Sequence, residues 1–265
     1  MKYRSPINWY GGKYFMAKHI IDLFPPHRTY VEGFGGAGHI LFNKEMSEIE
    51  IYNDKNENLY NFFRIIQDDI TREDLLFRLQ LTPYSREEFE LAKVESKYDD
   101  DDIEKVRKFY LITMQSMNSI GDNWSYSKTQ SRRGMAQNVS KYLGHVDTNI
   151  EESSKRLKGV TLENLDIIDL INKYDSKDTL FYLDPPYVAD TRVAKKVYRH
   201  EMPDDKQKEM VDKLLMIKGK AILSGYDNRI YERLVKGGWD KFILGEYVKR
   251  SGKSSKGEEI IWKNF

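Results

Sequence analysis

From Thr29 to Asp54 the chain passes from a short apolar strand into a glycine-rich bend, then through an apolar stretch into a second strand that ends on an acid. Thr29-Tyr-Val-Glu32 leads into Gly33-Phe34-Gly35-Gly36-Ala37-Gly38, and His39-Ile-Leu-Phe42 reads as the opening of an apolar helix. Glu50-Ile-Tyr-Asn53-Asp54 is the next strand. Strand, helix and strand in this order imply a parallel pair, because a crossover helix carries the chain back to the same end of the sheet. Gly33, Gly35 and Gly38 satisfy G-x-G-x-x-G, where missing side chains let the backbone crowd a ligand. Asp54 stands where an acid accepts from ribose hydroxyls. An α/β fold with a nucleoside site at the carboxyl ends of its strands is expected.

The bend alone does not choose the nucleoside. A hydride-transfer enzyme would use it to hold a pyrophosphate at a helix N-terminus. S-adenosyl-L-methionine offers a ribose, an adenine and a cationic amino-acid end instead, and both ligands suit the glycines. The stretch Thr179-Leu-Phe-Tyr-Leu-Asp184-Pro185-Pro186-Tyr187 bears on the choice. Its apolar half reads as a buried strand. Two prolines can neither extend a ladder nor sit inside a helix, so the chain leaves that strand rigidly at Asp184. A carboxylate, a fixed carbonyl and a ring at a strand end suit a planar group bearing an exocyclic amine, and a hydride-transfer site has no evident use for them. Taken alone, the four residues fit an ordinary Pro-Pro turn equally well.

Composition narrows the surroundings. With 265 residues there is room for one large α/β domain or for a core domain with an insertion. The 43 basic and 42 acidic residues leave a net charge of +1, so a polyanion must be met by a local basic face. The absence of cysteine excludes disulfides and thiolate chemistry, and no metal site is expected. No apolar run approaches membrane-spanning length and the amino terminus lacks a signal-type segment, so a cytoplasmic protein with no membrane partner is expected, bacterial or viral within its host.

Elsewhere, Trp9-Tyr10-Gly11-Gly12-Lys13 precedes a helix carrying Met16, Ile20, Leu23 and Phe24, and its glycines allow close backbone approach. Leu59, Phe62, Phe63 and Ile66 mark a core helix. Ser85-Arg-Glu-Glu88 is a capping box opening another. The acids Asp99–Asp102 cap a longer helix with Ile103, Val106, Tyr110, Met114 and Met117 on it. From Asn118 to Gly144 the composition turns polar and basic, with Asn123, Trp124, Tyr126, Lys128, Arg132 and Arg133. Such residues suit phosphates and base edges, though a solvated loop has the same composition. Residues 71–144 interrupt the strand–helix alternation and read as an inserted, mostly helical subdomain between 1–70 and 145–265. Val160–Asp166 and Lys220–Ser224 are further strands, the first ending near Asp166. Ala189–Glu201, with Lys195, reads as a basic loop beside the site, and Lys249-Arg250-Ser-Gly-Lys253 as a basic hairpin tip.

Four pieces in this order, Trp9-Tyr-Gly-Gly-Lys13, Phe34-Gly-Gly-Ala-Gly38, Asn53-Asp54 and Asp184-Pro-Pro-Tyr187, resemble the D12 class, or Dam family, of DNA adenine-N6 methyltransferases. The likeness extends through Glu201-Met-Pro-Asp-Asp, Lys218–Asn228 and the terminal Ile-Trp-Lys-Asn-Phe265. It implies a Rossmann-like S-adenosylmethionine-dependent methyltransferase fold with an inserted target-recognition subdomain at 71–144. It implies that Trp9, Tyr10, Lys13, Phe34, Gly35, Gly36, Ala37, Gly38, Asn53 and Asp54 hold S-adenosyl-L-methionine, with Asp166 and Asp184 at its edges. Asp184 and Pro185 would hold the target amine, Pro186 would keep the turn rigid and Tyr187 would stack on the extruded base. Double-stranded DNA is the implied substrate, touched by Asn123, Trp124, Lys128, Arg132, Arg133, Lys195, Lys249, Arg250 and Lys253, with a cognate restriction endonuclease as a partner. Met114-Gln-Ser-Met-Asn118-Ser-Ile-Gly-Asp-Asn123-Trp124 departs from the family's recognition stretch, so no target sequence is carried over. Three other readings stay open on sequence: an N-methyltransferase acting on RNA or protein glutamine, an inactive DNA-binding relative, and a nicotinamide dehydrogenase.

Overall fold

A computed structural model describes residues 4–94, 100–187, 202–248 and 256–265, with side chains except at 245–248 and 256–258. The strands are β1 (Thr29–Glu32), β2 (Ile49–Asn53), β3 (Ser131–Arg132), β4 (Met135–Ala136), β5 (Val160–Glu163), β6 (Thr179–Leu183), β7 (Lys220–Gly225), β8 (Asp240–Val248) and β9 (Lys256–Lys263). The helices are α1 (Ala17–Ile21), α2 (Glu57–Gln67), α3 (Asp69–Leu81), α4 (Arg86–Lys93), α5 (Asp102–Gln115), α6 (Gln137–Gly144), α7 (Ile150–Leu157), α8 (Ile167–Tyr174), α9 (Asp204–Leu214) and α10 (Glu232–Lys236).

Seven strands form one sheet in the order β5-β2-β1-β6-β7-β9-β8. β2, β1, β6 and β7 are mutually parallel, with Val31 opposite Ile51 and Phe181, and Phe181 opposite Ala221. β9 enters antiparallel between β7 and β8. The order reverses at β1, which has β2 on one side and β6 on the other. At such reversals open α/β sheets bind ligands, beyond the carboxyl ends of the strands. Every residue of β6 is buried, which explains why it reads as an unbroken apolar run rather than an alternating one.

The chain divides into two units, Met1–Phe15, Gly36–Asn43 and Glu57–Leu162 in one, and Met16–Gly35, Lys44–Asn56 and Glu163–Phe265 in the other. This division cuts the chain at other places than the 71–144 boundaries read from composition. In the second unit Val31, Ile51, Phe181, Leu183, Leu223, Ile260 and Trp262 join side chains of α8, α9 and α10 in one apolar cluster. The first unit is helical, and Phe62 of α2 stacks on Tyr110 of α5 at 5.6 Å. Asp101 caps α5 by accepting from the Glu104 amide at 2.7 Å, while Arg78 holds the same carboxylate. Asp100 and Asp102 pair with Lys108 and Arg64. A π-helical turn, His145–Asn149, joins α6 to α7.

Three expected elements differ. No regular helix follows the glycine bend: residues 39–43 make turns, with bonds from Phe42 N–H to the Gly38 carbonyl and from Asn43 N–H to the Ile40 carbonyl. The first helix is also shorter than its pattern, ending at Ile21 with Leu23 and Phe24 in turns, and Met117 is exposed beyond the end of α5 rather than on its buried face.

Candidate active site

In the second unit Gly33–Gly35, Asn53, Asp54 and Asp184 stand at the carboxyl ends of three parallel strands. Gly33 N–H donates to the Tyr182 carbonyl on β6 at 3.0 Å, and Gly35 N–H to the Asn53 carbonyl on β2 at 2.8 Å. The bend is therefore strung between the two neighbouring strands, with Asp54 past one and Asp184 past the other. A side chain has no room here. A Cβ on Gly35 would fall inside the Tyr52 ring, and one on Gly33 would collide with Leu183 and Ile167.

Asn53 serves as scaffold. Its amide donates to the Gly33 carbonyl (2.9 Å) and the Leu165 carbonyl (3.3 Å), and its side-chain oxygen accepts from Leu165 N–H (2.8 Å). Both amide hydrogens thus tie together the bend, β2 and the 164–166 turn. Asp54 is half-buried, and its carboxylate accepts from Asn56 N–H at 2.8 Å, an Asx-type turn that fixes its direction. Asn164 donates to the Asp54 carbonyl at 2.7 Å. Asp166 caps α8 through Ile168 N–H and binds Lys55 at 2.6 Å. Burial works against its ionisation, but the Lys55 ammonium and the Ile168 amide outweigh it and hold the carboxyl below its ordinary value.

Asp184 is clamped. Ser224, fully buried on β7, donates to its carboxylate at 3.0 Å and stands 3.1 Å from the Tyr182 hydroxyl. Gln207 of α9, also fully buried, donates to the Pro186 carbonyl at 2.7 Å and accepts from the Tyr231 hydroxyl at 2.6 Å. Burial, then the nearby Asp184 charge, pushes the Tyr231 hydroxyl far above its usual range and keeps it a donor. Tyr187 donates to both oxygens of Glu259, at 3.2 and 3.1 Å, and its ring centroid lies 4.3 Å from that of Tyr226. Ser224, Gln207, Tyr231, Tyr226 and Glu259 went unnamed as site residues in the sequence reading. Ser224 and Tyr226 lie in a strand tip that did attract notice, whereas nothing local marks Gln207 or Glu259.

In the first unit Gly36 (φ +49°) lies against Trp9, where a Cβ would sit 3.0 Å from Cδ1. Trp9 also tilts against Phe109 at 6.1 Å. Gly12 packs against the His39 ring, Lys13 is buried, and Tyr10 is partly exposed. Ala37 is buried with its carbonyl accepting from Ser5 Oγ at 2.5 Å, and Gly38 (φ +68°) abuts Phe42. Phe34, on the other unit, packs against the apolar cluster.

The segment proposed for nucleic acid forms an ordered surface in the first unit. Trp124 donates from Nε1 to the buried Gln115 at 3.2 Å, stacks on Tyr126 at 5.9 Å and lies under the Arg86 guanidinium at 4.8 Å. Lys128 reaches over Tyr126 at 6.0 Å, and the backbone carbonyl of the exposed Asn123 accepts from Met117. Arg132 lies on a two-stranded hairpin whose turn is Arg133-Gly134, both with positive φ as a tight hairpin turn requires. Lys128, Arg132 and Arg133 are exposed, and among the described residues no carboxylate pairs with them. Lys195, Lys249, Arg250 and Lys253 lie outside the described residues.

A mostly parallel mixed sheet with an acid-Pro-Pro-Tyr strand end beside a glycine bend fits a methyltransferase of the S-adenosylmethionine-dependent α/β class. The sequence model of the D12 class N6 adenine-specific DNA methyltransferases matches residues 9–248, and the chain belongs to that family. It is 23% identical over 201 residues to the modification methylase LlaI of Lactococcus lactis subsp. lactis, covering 71% of this chain and 30% of that protein. Likeness to the modification methylase StsI of Streptococcus sanguinis is 25% over 201 residues, 71% of this chain and 29% of the relative. The chain thus spans a little under a third of the curated relatives it matches. No helix among the described residues is long and apolar enough to cross a membrane.

Proposed function

We propose that this chain transfers the methyl group of S-adenosyl-L-methionine to N6 of adenine at specific sites in double-stranded DNA. The single observation that supports this most is the clamped Asp184 just past the end of β6, next to the strand bearing the glycine bend and one strand further from Asp54.

Bound S-adenosyl-L-methionine would supply an electrophilic methyl on a sulfonium. The residues present suit it: Asp54, its carboxylate held by the Asn56 amide, for ribose hydroxyls beside the glycine bend. Trp9, Tyr10, Lys13 and Gly36–Gly38 are assigned to the same cofactor on the family resemblance, and Asp166 to its adenine. The N6 amine is a weak nucleophile because its lone pair is delocalised into the ring. Asp184 and the Pro185 carbonyl accept hydrogen bonds from its two N–H groups, drawing nitrogen towards tetrahedral geometry and freeing the lone pair. Methylation would leave a neutral thioether and release one amine proton to solvent. Their rigidity supplies orientation and a fixed field, which is where the acceleration arises. An adenine inside a duplex must first be extruded, at a cost of a few kcal/mol that stacking on Tyr187 helps to offset. Segment 71–144 serves as the target-recognition surface, through Asn123, Trp124, Lys128, Arg132 and Arg133, with Lys195, Lys249, Arg250 and Lys253 as further phosphate contacts. The names of the relatives support a modification role beside a restriction endonuclease.

Incubation with methyl-labelled cofactor and unmethylated DNA, RNA or protein tests the reading. Label in adenine N6 of DNA, lost in Asp184→Ala, is expected. Label only in RNA or protein, or equal inactivity of wild type and Asp184→Ala, would replace it.

A further inference from the structure

The acid that meets Tyr187 is out of character for its strand. Glu259 on β9 is 1% exposed, and its neighbours Ile260, Ile261 and Trp262 are all buried apolar residues. Ile260 and Trp262 belong to the apolar cluster, so alternation along β9 turns Glu259 to the opposite face of the sheet. With Gly225 opposite Ile260, Glu259 falls level with the residue after Gly225, which is Tyr226. Desolvating a carboxylate is costly unless its oxygens are occupied, and an aliphatic side chain would fill this position without that cost. Both oxygens accept from the Tyr187 hydroxyl, and the Tyr226 ring lies against the Tyr187 ring at 48°. A hydroxyl fixed at one end and a ring in contact along its body leave Tyr187 little rotational freedom, while the residue stays half-exposed.

We propose that Glu259 is a positioning residue: with Tyr226 it sets the angle at which the Tyr187 ring receives the target adenine. This rests on the methyltransferase reading above. A preset ring has no rotamer to freeze when the base arrives, so the effect falls on the DNA-dependent part of the reaction and spares the cofactor.

The test measures kcat, KM for DNA and cofactor affinity in wild type, Tyr187→Phe, Glu259→Gln, Glu259→Ala and the double variant Tyr187→Phe/Glu259→Ala. Tyr187→Phe and Glu259→Ala should each lower kcat/KM for DNA by about tenfold with cofactor affinity retained, the double variant should be no worse than either, and Glu259→Gln, which keeps an acceptor, should recover most of the rate. Multiplying losses in the double variant overturn the proposal. So does an unchanged Tyr187→Phe, which decides the matter even if Glu259→Ala does not fold. A wild type that methylates no adenine fails the underlying reading, whereas an active wild type with either of those results fails this inference alone.

Discussion

The fully buried Ser224 hydroxyl on β7 donates to the half-buried Asp184 carboxylate just past β6 at 3.0 Å. A carboxylate that must accept from a weakly nucleophilic amine gains from being held before the amine arrives, since orientation need not then be found in the transition state. Ser224→Ala removes the donor at little cost in volume. Methyl transfer should fall by roughly tenfold or more, with the loss in kcat and cofactor affinity unchanged within a few-fold. Steady-state kinetics beside a cofactor titration will tell, and a loss confined to cofactor binding would show that Ser224 acts elsewhere.

Asp184 and Asp54 should separate the two halves of the site. Asp184→Ala is expected to abolish transfer and keep the cofactor. Asp54→Ala is expected to weaken the cofactor by about tenfold, the loss of a hydrogen bond to a charged group, with residual turnover at saturation. Calorimetric titration of both variants checks this, and equal loss of cofactor affinity in the two would contradict the division.

The bend should resist the smallest enlargement. Tyr52, which a Cβ on Gly35 would strike, is fully buried, so the ring cannot move aside without opening space behind it. Gly35→Ala should destabilise by about 1–3 kcal/mol, the usual range for overpacking. At this chain length that lowers the melting midpoint by roughly 2–12 °C. Gly159→Ala, with nothing within 4 Å of the added carbon, is the control and should melt with the wild type. Matching midpoints for all three proteins would dismiss the steric argument.

Much of this was readable from residue order because the signals are local. An apolar run stopped by Pro185-Pro186 placed Asp184 at a strand end, and the periodic Leu59, Phe62, Phe63 and Ile66 marked α2. Local pattern did not hold everywhere: the apolar residues after Gly38 make turns rather than the helix their run predicts. Other features were invisible because their partners are distant. The Asn53 amide ties down Gly33 and Leu165, the latter 112 positions away, and residue order shows neither contact. Nothing local marks Glu259, and only its contact with Tyr187, 72 positions away, gives it a role.

The hairpin arginines should reveal themselves through salt. Each phosphate contact releases condensed counterions, so removing two contacts should reduce the slope of log affinity against log salt by about 2. Arg132→Ala/Arg133→Ala should therefore bind unspecific duplex more weakly at low salt and with a shallower slope. Fluorescence anisotropy across a salt series checks this, and an unchanged slope would remove the hairpin from the phosphate contacts.

Acid should find His145 first. This residue is buried in the π-helical turn, where the Asn149 amide donates to its Nδ1 at 3.2 Å. Burial lowers its pKa to about 4, the Pro6 carbonyl acts the other way, and Lys141 and Arg4 add to the lowering. In the unfolded chain it titrates near 6.5, so between those values the unfolded state binds more protons than the folded one. The stability is complete above pH 6.5 and is lost as the pH falls towards 4, by roughly 3 kcal/mol over the interval. His39, lowered to about 4 by burial alone, adds a second loss of the same sign. Urea unfolding at pH 7, 5.5 and 4 should therefore show a steep fall in wild type and a shallower one in His145→Gln. The slope stays readable even if the variant is less stable throughout, and parallel curves for the two proteins would mean that His145 is not held neutral by the fold.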